Sequence, residues 1–171
     1  MKKRKTQELV ANKNLDDIKN GQRSGVILIL DNIRSMYNVG AIFRTADATK
    51  VEKLFLCGIT ASPPRKEIEK TALKTIDYVP WEYRDDVKKL VLELKNKGIQ
   101  IVALEQTNNS INYKEYDFRK PIAVIVGHEV DGVSDDLLHL CDAAVEIPMY
   151  GIANSLNVAT ATGIILYHLT N

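Results

Sequence analysis

The sequence predicts an α/β fold with a mostly parallel sheet flanked by helices. Two five-residue runs, 26–30 and 122–126, are apolar throughout, which is typical of strands buried on both faces. Segments of strand character alternate along the chain with segments of helical periodicity. With 171 residues, 45% of them hydrophobic and 26% charged, the chain has the size and composition of a single globular domain, so we expect one domain over 1–171.

The first half of the chain supplies two strands with their helices. The apolar run that forms the first strand ends in a polar loop, and Asn38 in that loop suits the N-cap of the helix that follows. The predicted elements are, in order, a short helix within 6–19, the strand 26–30, a helix after Asn38, a strand at 53–57 and a basic helix at 65–73.

The second half repeats the alternation. Val87, Leu90, Val91 and Leu94 lie at helical spacing, and Gly98 ends that helix. Its predicted elements are an extended aromatic segment at 78–83, the helix from residue 87, a strand at 99–104, an irregular segment at 111–119, the strand 122–126, a short helix capped by Ser134, a strand at 143–147 and a last helix at 156–169.

The last helix carries small residues in the middle of one face. Ala159, Thr160 and Gly163 share that face with Leu156 and Tyr167. Small side chains let another backbone approach closely, so this face either packs tightly on the sheet or meets a second subunit.

Charge and composition exclude several classes of protein. The formal net charge is +1, although residues 2–5 form a basic cluster within a short N-terminal segment, 1–25. The apolar runs are too short to cross a bilayer and no apolar stretch follows the basic start, so we expect a cytoplasmic protein without membrane contact. Cys57 and Cys141 lie in apolar surroundings, which favours buried free thiols.

Three polar loops follow predicted strands, at 31–44, 127–134 and 147–157. In an open parallel sheet such loops meet at the carboxyl ends of the strands, where ligands bind. Familiar motifs are missing from them: Val133 and Ser134 stand where a phosphate-binding loop needs Lys and Ser or Thr, and no G-x-G-x-x-G follows the first strand. No histidine or cysteine spacing indicates a metal site.

The same loops carry a family resemblance. Residues 38–47 (NVGAIFRTAD), 127–134 (GHEVDGVS) and 147–158 resemble, in order and spacing, the three motifs of the SpoU (TrmH-like) RNA ribose 2'-O-methyltransferases of the SPOUT superfamily. The resemblance spans about 26–169, and segments 56–60 and 70–73 also look like the family's intermediate region. Lys74 stands where many relatives have Gly, and Ala159 where many have Ser.

The resemblance implies a deep C-terminal trefoil knot, a homodimer, and S-adenosyl-L-methionine (AdoMet) as the cofactor, with no metal. It places the cofactor against seven residues that combine aliphatic side chains with polar loop groups. These residues are Leu104, Gly127, Glu129, Ile147, Met149, Ser155 and Leu156.

The resemblance also implies a catalytic set. Its members are Arg44, Asn38, Glu129, Ser155 and Asn157. Arg44 is either a base or a group that binds the phosphate beside the target ribose and stabilises the developing alkoxide. A guanidinium is a poor base because it holds its proton, which favours the second role. Asn38 then holds Arg44, and Glu129 orients Arg44 or loop amides.

The expected function is AdoMet-dependent 2'-O-methylation of structured RNA, with tRNA ahead of rRNA. A catalytically silent RNA-binding protein of the same fold is the first alternative, against which the presence of the whole catalytic set argues. A small-molecule nucleotide-binding protein is the second, and it lacks the phosphate loop that such a protein needs.

Overall fold

The computed structural model describes residues 14–170. The basic cluster at 2–5 and most of the predicted first helix lie outside this range. Within it, the chain forms one seven-stranded sheet in which every pair of neighbouring strands is parallel. The strands are β1 (Val26–Asp31), β2 (Lys53–Cys57), β3 (Trp81–Arg84), β4 (Gln100–Leu104), β5 (Ile111–Asn112), β6 (Ile122–Val126) and β7 (Ala143–Glu146).

The strand order is β3-β2-β1-β6-β4-β7-β5. The chain therefore builds one half of the sheet from β1 to β3, starts the other half with β4, and later inserts β6 between β1 and β4. Both faces of β1 and β6 are buried, which explains why their sequences are apolar without alternation. The predicted parallel α/β architecture is confirmed, while the trefoil knot stays a prediction.

Helices cover both faces of the sheet. They are α1 (Leu15–Asn20), α2 (Met36–Ala48), α3 (Lys66–Ala72), α4 (Val87–Asn96), α5 (Asp135–Leu138) and α6 (Val158–Thr170). Buried side chains of α2, α3 and α6 pack with alternate strand residues such as Leu28 and Val124. On the other face, α4 and α5 pack with the intervening residues, for example Ile29 and Ile125. The result is a three-layer molecule with two apolar cores.

The N-terminus of α2 differs from the prediction. Ser35 is the N-cap, because its hydroxyl oxygen accepts a hydrogen bond from the Asn38 N–H at 3.3 Å. The prediction that Asn38 caps this helix is therefore wrong by three residues. Since the cap is one turn earlier, the side chain of Asn38 projects from the first turn of the helix and is free to bond elsewhere.

Two further differences concern the second half. Residues 111–119 were expected to be irregular, but Ile111 and Asn112 pair with the edge of β7 as a two-residue strand. The last helix begins at Val158, because the side-chain oxygen of Asn157 accepts hydrogen bonds from the Ala159 and Thr160 N–H groups at 2.9 and 3.4 Å.

The small face of α6 packs on the core only in part. The side chains that α6 buries are Thr162, Ile165, Leu166 and Leu169. Ala159 is half-buried against the core on this side of the sheet, whereas Thr160 and Tyr167 are exposed. A Cβ placed on Gly163 would have only ordinary contact with Thr45 of α2, at 3.9 Å. Both possibilities for this face, packing on the sheet and contact with a second subunit, therefore stay open.

Two expectations from composition can be compared directly with the structure. Within residues 14–170, no helix is long and apolar enough to cross a membrane. Cys57 is buried and Cys141 half-buried, both as free thiols, and burial raises their pKa values to about 12 and about 11. Both are thus ordinary packing residues with little thiolate at neutral pH.

Candidate active site

A cavity of about 540 Å³ lies at the carboxyl ends of β6, β4 and β7, three strands that are neighbours in the sheet. Loops after all three strands form its walls. Its volume is within the range of small-molecule and cofactor sites. The lining residues are Leu104–Gln106, Val126–Gly132, Glu146, Ile147, Met149, Asn154–Val158 and Ala161.

All seven residues predicted to bind the cofactor line this cavity. Leu104, Ile147, Met149 and Leu156 supply an apolar wall from two segments of the chain, the end of β4 and the loop after β7. Glu129 and Ser155 supply polar edges, and Gly127 supplies backbone in the cavity wall. The loops after β6 and β7 therefore meet as the sequence predicted, and the loop after β4 joins them.

Gly127 and Gly132 fold the loop after β6 back on itself. The backbones of His128 and Gly132 form two hydrogen bonds with each other, of 3.1 and 2.9 Å. A Cβ placed on Gly127 would lie 2.3 Å from the carbonyl carbon of Gly132 and 2.4 Å from the Val133 nitrogen. Gly132 has φ +67°, a conformation that L side chains rarely adopt. Both positions require glycine, which keeps backbone groups at the cavity wall.

Glu105 is a site residue that the sequence did not reveal. It follows β4, and its carboxylate accepts hydrogen bonds from the Val133 N–H at 2.9 Å and from the Gln106 N–H at 2.8 Å. The side-chain amide of Gln106 in turn donates a hydrogen bond to the backbone carbonyl oxygen of Asn154 at 2.8 Å. Glu105 and Gln106 thus fix the loop after β4 to the loops after β6 and β7. A polar loop directly after a buried strand was the available signal.

Glu129 connects the loop after β6 to the loop after β1. Its carboxylate accepts hydrogen bonds from the Arg34 and Ser35 N–H groups and from the side-chain amide of Asn38, each at 3.1 Å. Partial desolvation opposes ionisation of this carboxyl, but these hydrogen bonds outweigh it and hold its pKa below the usual value. Glu129 is therefore a carboxylate acceptor at neutral pH.

Asn38 and Asn157 complete the network. The side-chain oxygen of Asn38 accepts a hydrogen bond from the Asn157 amide at 3.1 Å, while Asn157 also caps α6. Because the Asn38 amide nitrogen is already held by Glu129, the orientation of both amides is determined. Three residues from the three predicted motifs are thus joined in one chain of hydrogen bonds.

Two predicted catalytic residues are not in that network. Ser155 lines the cavity and is exposed to solvent. Arg44 is exposed on α2, outside the cavity lining, and no carboxylate within residues 14–170 forms an ion pair with it. The structure therefore does not bring Arg44 to Asn38, and its guanidinium is available to a group that lies over α2.

The charges around the cavity favour a cationic ligand. Four carboxylate residues line it, Glu105, Glu129, Asp131 and Glu146, and no Lys or Arg among residues 14–170 does so. An aliphatic wall with carboxylates nearby suits a compound that combines an aromatic base with a positively charged group. In the part of the chain that the structure describes, no cluster of three or more His, Cys, Asp or Glu side chains is arranged to hold a metal ion.

Comparison with known proteins decides the family. The model of the SpoU rRNA methylase family matches residues 25–167, which include the whole cavity and the hydrogen-bond network. The chain belongs to the SpoU family. Membership confirms the resemblance that the three motifs indicated, and with it the predicted class of enzyme, an RNA methyltransferase.

Individual members of the SpoU family agree with this assignment. The tRNA (guanosine(18)-2'-O)-methyltransferase of Aquifex aeolicus is 38% identical over 156 residues, which are 91% of this chain and 73% of that protein. The crystal structure of the A. aeolicus TrmH/SpoU tRNA modifying enzyme superposes with a TM-score of 0.82 at 36% identity, and the match covers 91% of this chain and 79% of that one.

A second SpoU structure bears on the cofactor. The AdoMet-bound rRNA methyltransferase of Sinorhizobium meliloti is 30% identical, with a TM-score of 0.80 over 92% of this chain. The match covers only 59% of that longer chain. This relative was solved with the cofactor that the motifs predict.

Proposed function

We propose that this protein transfers a methyl group from AdoMet to the 2'-hydroxyl of a ribose in structured RNA, with tRNA as the preferred class. The observation that carries the proposal is the hydrogen-bonded chain of Glu129, Asn38 and Asn157, which joins the first motif to the two motif loops that line one carboxylate-rich cavity. A cytosolic location, where RNA and AdoMet are found together, belongs to the same proposal.

The cavity residues suit AdoMet. The apolar wall of Leu104, Ile147, Met149 and Leu156 suits the adenine, and the backbone of Gly127 and Gly132 in the cavity wall offers groups that read its edge. When bound, AdoMet supplies a methyl group on a positively charged sulfonium. The carboxylates of Glu105 and Glu129 place negative charge on the same cavity, which favours a cation there.

The remaining residues act on the RNA. A ribose hydroxyl is a weak nucleophile at neutral pH, so its alignment and the loss of its proton determine the rate. Arg44, exposed and without an ion pair among the described residues, binds the phosphate beside the target ribose and stabilises negative charge on the hydroxyl oxygen. Ser155 and Asn157 hold the ribose by hydrogen bonds at the cavity edge.

The preference for tRNA over rRNA rests on the relatives. The Aquifex enzyme, which is named for methylation of guanosine 18 of tRNA, is covered over 73% of its length, whereas the Sinorhizobium rRNA enzyme is covered over 59%. Greater overlap with a tRNA enzyme favours tRNA.

Transfer of labelled methyl from AdoMet to unfractionated tRNA and to rRNA tests the function, followed by mapping of the modified ribose. We expect label in tRNA, at one ribose position. Label in rRNA alone would contradict the substrate preference. AdoMet binding without transfer to either RNA would favour the silent RNA-binding protein of the same fold.

Substitution of Arg44 tests the division of roles. Because Arg44 lies outside the cavity, we expect Arg44→Ala to lower kcat by about 10²-fold or more while the Kd for AdoMet changes less than about twofold. A methyl-transfer assay at saturating substrate measures kcat, and calorimetry measures the Kd for AdoMet. A large loss of AdoMet affinity would instead place Arg44 at the cofactor.

A homodimer is the second part of the proposal. The loop 150–157 is exposed along its whole length and carries Tyr150, 93% exposed, and a fully exposed Ile152. Tyr167, on the helix that follows this loop, is 51% exposed. Exposed apolar side chains of this kind favour a protein partner, and a second copy would cover the loop that lines the cavity.

Sedimentation equilibrium tests the dimer. We expect the wild type to sediment as a dimer and the variant Tyr150→Asp/Ile152→Asp to sediment as a monomer, because each carboxylate would lose its hydration in the interface. Leu92→Asp is the control, since Leu92 is 48% exposed on α4, on the opposite face of the sheet. A monomeric wild type at micromolar concentration would overturn this part of the proposal.

A further inference from the structure

Some cations of this protein form ion pairs: Lys53 with Glu82, Arg84 with Glu82 and Glu93, and Lys88 with Asp136. On and beside α3, Arg65, Lys66, Lys70 and Lys74 are all exposed, and none of them pairs with a carboxylate within residues 14–170. We call these four residues the α3 basic surface.

The α3 basic surface faces away from the core. Ile68 and Ala72 are the buried residues of α3, and Lys66 and Lys70, four residues apart, lie on the opposite side of the helix. Glu67 and Glu69 are on the same helix, in its first turn, where the helix dipole favours them. Four cations against two carboxylates leave this segment positive.

Close packing places the α3 basic surface beside the proposed RNA site. A Cβ on Gly40 of α2 would lie 1.9 Å from the Thr71 hydroxyl oxygen and 2.5 Å from the Ile68 carbonyl oxygen, so the two helices touch at this point. Thr71 also donates a hydrogen bond to the Tyr37 carbonyl oxygen at 3.3 Å. Helical spacing puts Tyr37, Gly40 and Arg44 on one side of α2, the side that meets α3.

The end of α3 holds two strained residues. Leu73 and Lys74 both have left-handed backbone conformations, with φ +52° and +70°. Glycine adopts this conformation without steric cost, whereas an L side chain costs about 1–2 kcal/mol. Strain of this kind is concentrated at functional sites. The side chains of Leu73 and Lys74 are exposed, that of Leu73 by 57%, so packing does not explain why these two residues stand here. Tyr37, on α2, is also exposed, by 54%.

We propose that the α3 basic surface, with Tyr37 beside it, binds the sugar-phosphate backbone of the RNA next to the nucleotide that is methylated. This inference rests on the proposed function and adds to it, because the described residues that line the cavity include carboxylates but no Lys or Arg. Phosphates are repelled by such a cavity and need cations outside it. Tyr37 offers an exposed ring on which a base can stack.

Two variants of equal charge test the surface. Lys66→Gln/Lys70→Gln/Lys74→Gln removes three cations of the α3 basic surface. Lys89→Gln/Lys97→Gln/Lys114→Gln removes three exposed lysines that are also unpaired within the described range, two of them from α4 and its C-cap on the other face of the sheet. Binding of unfractionated tRNA at several salt concentrations and of AdoMet is measured for both, together with kcat at saturating RNA.

For the first variant we expect about tenfold weaker tRNA binding, a salt dependence whose slope is smaller by about 2–3, and an unchanged Kd for AdoMet. The control variant should bind tRNA at most about twofold more weakly than the wild type. If both variants lose tRNA affinity equally, or neither does, while the wild type methylates RNA, the α3 basic surface does not bind the RNA. The proposed function would then still stand. A wild type that binds and methylates neither tRNA nor rRNA would overturn both.

Lys74 allows a sharper test in one residue. Lys74→Gly should raise the melting temperature by about 2–4 °C, since it removes the left-handed lysine, and yet weaken tRNA binding severalfold. Lys74→Arg should keep the affinity. If Lys74→Gly is stabilised and binds tRNA like the wild type, Lys74 is not a contact, and the proposal fails for this residue.

Discussion

Gly127 determines how closely the loop after β6 folds against itself. Any side chain there would meet backbone atoms of Gly132 and Val133, which cannot rotate away as a side chain can. We expect Gly127→Ala to lower the free energy of unfolding by about 2 kcal/mol or more and to weaken AdoMet binding at least tenfold. Urea unfolding and calorimetry measure the two effects.

Gly151 is the matched control for this prediction. It lies in the loop after β7, and a Cβ placed on it would have nothing within 4 Å. Gly151→Ala should therefore unfold and bind AdoMet as the wild type does. If Gly127→Ala also unfolded and bound AdoMet as the wild type does, the loop after β6 would be able to open without harm to the site.

Single residues show how far the sequence led. The seven cofactor residues could be named because the family resemblance fixes their places, and the structure puts all of them around one cavity. Glu105 could not be named, because a carboxylate after a strand can face solvent equally well. Only the fold brings the Val133 N–H, 28 residues away in sequence, within hydrogen-bond distance of it.

At the scale of one element, the N-terminus of α6 combines capping with site geometry. Asn157 uses its oxygen to cap the helix and its amide nitrogen to bond Asn38. Asn157→Asp keeps the oxygen and removes the donor, so stability should change little while turnover falls. Asn157→Ala removes both, so about 1 kcal/mol of stability should be lost as well. Urea titrations and methyl transfer separate these outcomes.

A loss of turnover in Asn157→Ala but not in Asn157→Asp would mean that only the cap matters.

Start positions of helices were the least predictable feature of the elements, and α2 shows why. Ser35 and Asn38 are both good caps, three residues apart, and the choice depends on where Glu129 and Asn157 hold the Asn38 side chain. The two-residue strand β5 escaped prediction because its pairing partner, β7, lies over 30 residues away.

For the whole molecule, the cavity has walls from three neighbouring strands, so a ligand there should tie them together. We expect AdoMet to slow amide hydrogen exchange in the loops at 127–132 and 149–157. Helix α4, on the far side of the sheet, should be unaffected. Mass spectrometry of exchanged peptides measures both. Protection confined to α4 and its neighbours would place the ligand elsewhere.

The sheet order is the property of the whole molecule that the sequence least determined. The apolar runs indicate that β1 and β6 are central, but not that they are neighbours, since Val26 and Ile122, at the start of the pairing, are 96 positions apart in the sequence. Local patterns specify which segments become strands. Their neighbours depend on long-range packing, which short-range spacing does not encode.

The insertion of β6 has a consequence for synthesis on the ribosome. A nascent chain that has emerged only as far as Leu104 holds β1 and β4, but the strand that will bond to both has not been made. Each then presents an apolar edge with unpaired backbone groups, the kind of edge along which polypeptides associate with one another. Until residues 122–126 emerge, we therefore expect those two edges to be the part of the growing chain most prone to associate with other chains.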